Sequence, residues 1–293
     1  LRPLLRQPFL TQQRLSSTAP QRKTSDPLRI LFCGSDEFSA ASLSALALEH
    51  TRNPSLIHSI DVLVRPPKPT GRGLTILREV PLQSVAESLS LPVHAVDTFT
   101  GWQPPLPYNL IVAVSFGLFV PPRILRSAAY GGLNVHPSLL PDLRGPAPLH
   151  HALLLGRTHT GVSLQTLSEE SFDSGEVLAQ TPLPGFPIAK GMKVPALRDM
   201  LAALGARMLV DGLRAGVHVP PRKDVGWTPT EEEREGIAHA PKITKKDAEI
   251  RWDAWMPETM ALRARVLGDA LWSRAVARDG RTKRVILSGV EEV

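Results

Sequence analysis

The sequence predicts an α/β fold: a doubly wound, mostly parallel sheet followed by a small β domain. Three observations carry that prediction. Short apolar runs recur through the first part of the chain, among them LRILFC, IDVLVRP, LPVHAV and YNLIVAVSF. Stretches of helical character lie between them, and such alternation lays strands side by side in parallel with helices on both faces. A Pro-rich and then charged segment, VHVPPRKDVGWTPTEEEREG, ends this pattern, and only short strand-like pieces follow it.

Taken in order, residues 1–26 come first, with Arg2, Arg6, Arg14, Arg22 and Lys23, several Ser and Thr, and no acid before Asp26. That composition is expected of a mitochondrial transit peptide without structure of its own, and Arg6 with Gln7 interrupts the apolar stretch a secretory signal would need. The first residue is Leu, so the start of the protein is expected to lie upstream. LRILFC then reads as a buried strand that stops at Gly34, and SDEFSAASLSALALEH as a helix capped by Ser35 or Asp36. IDVLVRP from Ile60, LPVHAV from Leu91 and YNLIVAVSF from Tyr108 are further strands, with helices at VPLQSVAES and PPRIL. Residues 27–215 are read as the main domain, 216–240 as a linker and 241–293 as the small β domain. In that last part lie the Lys-rich loop HAPKITKKDAEIRW, a helix from Pro257 to Leu267, and the strand-like pieces LWSRAVA and RVILSGV.

Composition narrows the function classes. With 42% hydrophobic and 21% charged residues, the 293-residue chain has the balance of a soluble globular protein of two domains. Charge, Pro or Gly interrupts every apolar run before it could cross a bilayer, so no membrane partner is expected. The lone cysteine, Cys33, excludes an internal disulfide framework, fits a reducing compartment, and sits in an apolar run that favours a buried structural thiol over a nucleophile. The formal charge of +6 points to a polyanionic partner without saying which one.

The densest chemistry lies in residues 131–148, GGLNVHPSLLPDLRGPAP. If GLNVH ends a strand, the period of two sends Leu133 and Val135 to one face and Asn134 and His136 together to the other. Pro137 then ends the strand. An amide and an imidazole sharing a face at the carboxyl end of a parallel strand stand where open α/β sheets place ligands. Residues 161–184, GVSLQTLSEESFDSGEVLAQTPLP, add Asp173 in a loop between two strand-like runs, from which a carboxylate can turn towards His136 or cap its own turn. His150 and His151 sit in a helical stretch without ligand spacing to a third residue, and no metal is expected.

The segments FCGSDEFS, RPPKPTGRG, LIVAVSFGLFVPPRIL, NVHPSLLPDLRGPAP and FDSG follow one another in an order that resembles the methionyl-tRNA formyltransferases, over roughly residues 28–265. The resemblance implies a Rossmann-like catalytic domain, an OB-like C-terminal domain, 10-formyltetrahydrofolate as co-substrate, and initiator methionyl-tRNA as partner of a monomeric enzyme in the mitochondrial matrix. It assigns Asn134, His136 and Asp173 as the catalytic trio, and Ser138, Leu139, Leu140 and Pro141 as the folate-contacting segment. In the chemistry it implies, the amine of methionyl-tRNA attacks the formyl carbon, leaving an oxyanion and a nitrogen with a proton to lose. Asn134 and His136 would stabilise the first, an effect worth about 3 to 4 kcal/mol per well-placed donor. Asp173 would orient or charge His136 and help remove the second.

For tRNA, the resemblance points to the basic loop VRPPKPTGRGLTILREVP, with Arg72 first, then Lys68 and Arg65, and to Lys242 in the APKIT motif as a second phosphate contact. Departures exist: SDEF replaces the family's usual TPxF, and the loop before FDSG is one residue longer. The C-terminal domain shows two or three candidate strands where an OB barrel has five, so it is expected to be truncated. The alternatives are a formyltransferase acting on a nucleotide-linked amino sugar, which shares the trio, and an inactive RNA-binding relative. A nicotinamide-dependent oxidoreductase is disfavoured, because Gly34 is followed by SDEFSAAS and not by a phosphate-binding glycine pattern.

Overall fold

A computed structural model describes residues 23–70, 76–78, 80–268, 271–287 and 289–290. Residues 1–22 of the segment 1–26 read as a transit peptide, and the candidate Arg72, lie outside the described residues. Strand β1 (Leu28–Gly34) is buried on both faces: Leu28, Ile30 and Phe32 enter one apolar cluster, while Leu31 and Cys33 enter another. This two-sided burial is why LRILFC reads as a continuous apolar run. Helix α1 (Glu37–Arg52) follows, and its N-cap is Asp36, whose Oδ1 accepts from the Ser39 N–H at 3.0 Å. Gly34 allows the close approach at this turn, because a Cβ there would lie 2.8 Å from both Leu82 and Ser39.

The chain continues through β2 (Ile57–Val64), a small antiparallel pair β3 (Lys68–Thr70) and β4 (Ile76–Arg78), α2 (Pro81–Ser88), β5 (Val93–Ala95) and β6 (Leu110–Val114). After α3 (Pro122–Leu125) come β7 (Gly132–His136), α4 (Pro148–Leu154), β8 (His159–Thr160), β9 (Ser163–Thr166), β10 (Val177–Gln180) and β11 (Phe186–Pro187). The central sheet has the order β10-β9-β7-β6-β1-β2-β5. Strands β5, β2, β1, β6 and β7 run parallel; β9 is antiparallel to both β7 and β10. The order steps from β1 towards β2 and β5 on one side and towards β6 and β7 on the other. The carboxyl ends of β1, β6 and β7 therefore meet at the switch point where open sheets leave a crevice.

Helix α5 (Val194–Ala215) buries Leu197, Leu201, Leu209 and Leu213 in the first cluster and ends on Gly216 at φ 72°. Gly205 lets it approach the sheet, since a Cβ would stand 2.7 Å from Val135. The segment read as a linker is more ordered than that word implies. It contains α6 (Glu231–Gly236), and beyond it Leu143 N donates to Ala238 O at 2.8 Å, Ala240 N to Arg144 O at 2.7 Å, and Ala147 N to Ala240 O at 3.1 Å. This strap lies along the loop that follows β7. Helix α7 (Pro257–Leu267), β12 (Trp272–Val276) and β13 (Thr282–Ile286) complete the chain as a helix and an antiparallel pair around Ala248, Ile250, Trp255, Ala264 and Leu271.

Candidate active site

The antiparallel register of β7 and β9 sets Asn134 opposite Gln165 and His136 opposite Ser163. Side chains at these positions share one face of the sheet, while Leu133, Val135 and Leu164 enter the core on the other. On the polar face, Asn134 Nδ2 donates to Ala113 O at 2.8 Å and Asn134 Oδ1 accepts from Gln165 Nε2 at 3.0 Å. His136 is 5% exposed, and its Nε2 lies 3.0 Å from Leu143 O. Its Nδ1 stands 3.3 Å from Asp173 Oδ1. Both neighbours are acceptors, so a doubly protonated ring satisfies both and a neutral ring only one.

Asp173 sits between β9 and β10, with Oδ1 also accepting from Gln165 Nε2 at 3.1 Å and Oδ2 from the Gly145 N–H at 3.0 Å. The structure thus brings Asn134, His136 and Asp173 together, with Gln165 bridging Asn134 and Asp173 and the His136 ring at ion-pair distance from Asp173. Leu143 and Asp173, which hold the imidazole from two sides, have φ of 58° and 53°. Left-handed backbone at such residues costs about 1 to 3 kcal/mol each and persists where the surroundings over-determine it. Gly175 is required by contact: a Cβ there would fall 1.8 Å from Thr166 O.

The segment Ser138–Pro141 runs directly off β7. Ser138 is fully buried, its Oγ donating to Asp142 O at 2.6 Å, and Leu140 N donates to Ser163 Oγ at 3.1 Å. Leu140 and Pro141 line a cleft of about 410 Å³ together with Arg144, Asp173, Gly175 and Trp227. Leu139 lines a second cavity of about 310 Å³, which shares Trp227 with the first. Arg65 pairs with Asp97 at 3.2 Å, Lys68 opens β3, and exposed Lys242 follows the strap. Burial pushes the Cys33 thiol far above its usual range, which leaves it an inert core residue. Burial also raises the Asp36 carboxyl, against hydrogen bonds from Ser39 and Ser115 that lower it. Among the described residues no group of three or more His, Cys, Asp or Glu is placed to hold a metal ion.

Gln165, Ser163 and the Gly145 amide were not singled out from sequence. The signal for the first two is present in SLQT, where Ser163 and Gln165 flank the apolar Leu164, but its meaning depends on which strand lies beside it.

The Formyl transferase family profile matches residues 28–212. Methionyl-tRNA formyltransferase, mitochondrial, of Saccharomyces cerevisiae is 33% identical over 89% of this chain and 74% of its own length. The protein of the same name from Bos taurus is 32% identical over 90% of this chain and 63% of its own length, so less than two thirds of that relative is spanned. Among solved structures, a sugar N-formyltransferase from Shewanella superposes with a TM-score of 0.62 at 14% identity, over 91% of this chain and 98% of that one. HypX from Aquifex aeolicus in complex with tetrahydrofolic acid gives 0.55 at 20% identity, over 89% of this chain and 37% of that one. At these identities the two structures speak for the fold.

Proposed function

Because the chain belongs to the formyl transferase family, among the methionyl-tRNA formyltransferases, we propose that it carries a formyl group from 10-formyltetrahydrofolate to the free amine of initiator methionyl-tRNA. The observation that supports this reading most is the meeting of Asn134, His136 and Asp173 where β7 opens into the crevice. The co-substrate supplies the formyl carbon; the residues handle charge and protons around it. Asn134 has one Nδ2–H engaged by Ala113 O and a second free to donate to the formyl oxygen as it gains negative charge. His136 lies between Leu143 O and Asp173, and its Nε2 would donate to the same oxygen on exchanging the Leu143 carbonyl for it. Asp173 orients the imidazole and offers a carboxylate towards which the amine proton moves, while collapse of the tetrahedral species breaks the formyl carbon–N10 bond and N10 takes up a proton, so that tetrahydrofolate leaves.

The cleft suits a folate-type group. Its walls combine apolar Leu140, Pro141, Val177 and Trp227 with Asp173 and Arg144, and its volume is in the range that holds a bicyclic ring and the start of its arm. Ser138, Leu139, Leu140 and Pro141 would form the folate-contacting segment, and Arg72, Lys68, Arg65 and Lys242 the phosphate contacts to tRNA. Residues 27–215 are the catalytic domain, 216–240 the connection, and 241–293 the OB-like part. The protein is then a monomer of the mitochondrial matrix; the mitochondrial names of both relatives and the leader-like composition of residues 1–26 support that compartment. No helix among the described residues is long and apolar enough to cross a membrane. The amino-sugar alternative is not favoured: the relatives at 32–33% identity bear the methionyl-tRNA name, and the sugar enzyme shares the fold at 14%.

The test is formylation of charged initiator tRNA by the purified protein with 10-formyltetrahydrofolate, beside His136→Ala. Formyl-methionyl product from the parent, with kcat reduced about 100- to 1,000-fold in the variant, is expected. A parent that makes no such product overturns the reading.

A further inference from the structure

Gln165 stands directly across from Asn134 in the β7–β9 register and is 1% exposed. Its Nε2 donates to Asn134 Oδ1 at 3.0 Å and to Asp173 Oδ1 at 3.1 Å. A primary amide nitrogen carries two hydrogens, so one atom serves both partners. The orientation of this amide is thereby set: turned over, it would press Oε1 against two acceptor oxygens. Oε1 itself is buried and has no partner among the described residues, so the side chain is held in the site through Nε2.

The same logic passes to Asn134. With Oδ1 engaged by Gln165 and one Nδ2–H by Ala113 O, the amide has a single orientation and one uncommitted N–H. Remove the Gln165 donor, and Asn134 Oδ1 is left without that partner while Asp173 Oδ1 keeps only His136. We propose that Gln165 is a positioning residue for formyl transfer, which fixes the amide of Asn134 and the carboxylate of Asp173 in the arrangement the reaction uses. This rests on the roles given to those two residues above.

The experiment compares steady-state formylation by the full chain and its Gln165→Met and Gln165→Glu variants, with thermal melts of each. For Gln165→Met, nearly isosteric but without the donors, kcat is expected to fall about 10- to 100-fold, with KM for both substrates within about threefold. Gln165→Glu sets an acceptor against Asn134 Oδ1 and Asp173, so its rate relative to the parent is expected to rise as the pH is lowered and the new acid becomes a donor. A Gln165→Met kcat within about twofold of the parent, or a loss confined to KM, overturns the proposal. Should that variant not fold, the Gln165→Glu ratio decides, and a ratio flat with pH overturns it. A parent without formylation activity overturns both this inference and the function it rests on. An active parent with an impaired His136→Ala but an unimpaired Gln165→Met overturns this inference alone.

Discussion

At the carboxylate of Asp173 the N–H groups of Gln165 and Gly145 and, at 3.3 Å, the His136 Nδ1 converge, each from a different segment of the chain. The residue occupies left-handed backbone at φ 53°, which Asn tolerates as well as Asp. Asp173→Asn therefore keeps the turn and removes only the charge. Its kcat is expected to drop about 100- to 10,000-fold with the fold intact, read from single-turnover formylation beside a circular dichroism melt. Retention of most of the parent rate would remove Asp173 from the chemistry. How far these residues were legible differs from one to the next. Asn134 and His136 follow from period-two alternation before Pro137, a purely local signal. Asp173 needed the motif around it, because nothing local says where a loop carboxylate turns. Gln165 could be placed on a strand but not in the site: a Gln in a strand ordinarily faces water, and only the antiparallel neighbour β7 makes its face the site.

At the scale of elements, the strap formed by residues 237–241 matters more than its length suggests. It bonds to Leu143, Arg144 and Ala147, in the loop whose Leu143 carbonyl meets His136 and whose Gly145 amide meets Asp173. Gly145, at φ 125°, makes room for it, because a Cβ there would lie 2.5 Å from Ala240 O. Ala240→Pro deletes the N–H that donates to Arg144 O and adds a ring at a fully buried position. A loss of about 1 to 3 kcal/mol in urea unfolding is expected. Because the loop positions both His136 and Asp173, a kcat lowered at least about tenfold at temperatures where the variant remains folded is expected with it. An unchanged kcat would show that the strap supports stability alone. Strands β1, β2 and β6 were legible as continuous apolar runs, and helices α1, α2 and α7 from their apolar spacing; α5 was not singled out, nor was the strap, since GIAHA has no period and its partner lies almost a hundred residues away. The antiparallel course of β9 was hidden for the same reason: direction is decided by the neighbour.

For the whole molecule, the far end of the sheet closes around His218, which is fully buried with no hydrogen-bond partner for either ring nitrogen among the described residues. Its ring meets Tyr130 edge-on with centroids 5.2 Å apart. The Tyr130 hydroxyl accepts from the Asp26 N–H, and Arg222 Nη2 donates to Tyr130 O, so the start of the described chain, the approach to β7 and the segment after α5 meet there. Burial, with a smaller contribution from Arg222, pushes the imidazole down to about 4 from an ordinary value of 6.5. Between those limits the unfolded chain holds a proton that the folded protein refuses. The contribution of His218 to stability is therefore complete above about pH 6.5 and declines as the pH falls through the window to about 4, a loss on the order of 3 kcal/mol. His218→Phe keeps the apolar contact with Tyr130 and removes the titration. Urea midpoints taken at about pH 7.5 and about pH 4.5 are expected to separate widely for the parent and by less for the variant, so that the variant gains on the parent in acid. Parallel declines of the two proteins with pH would mean that His218 takes up its proton in the folded state, with the ring less enclosed than this packing requires.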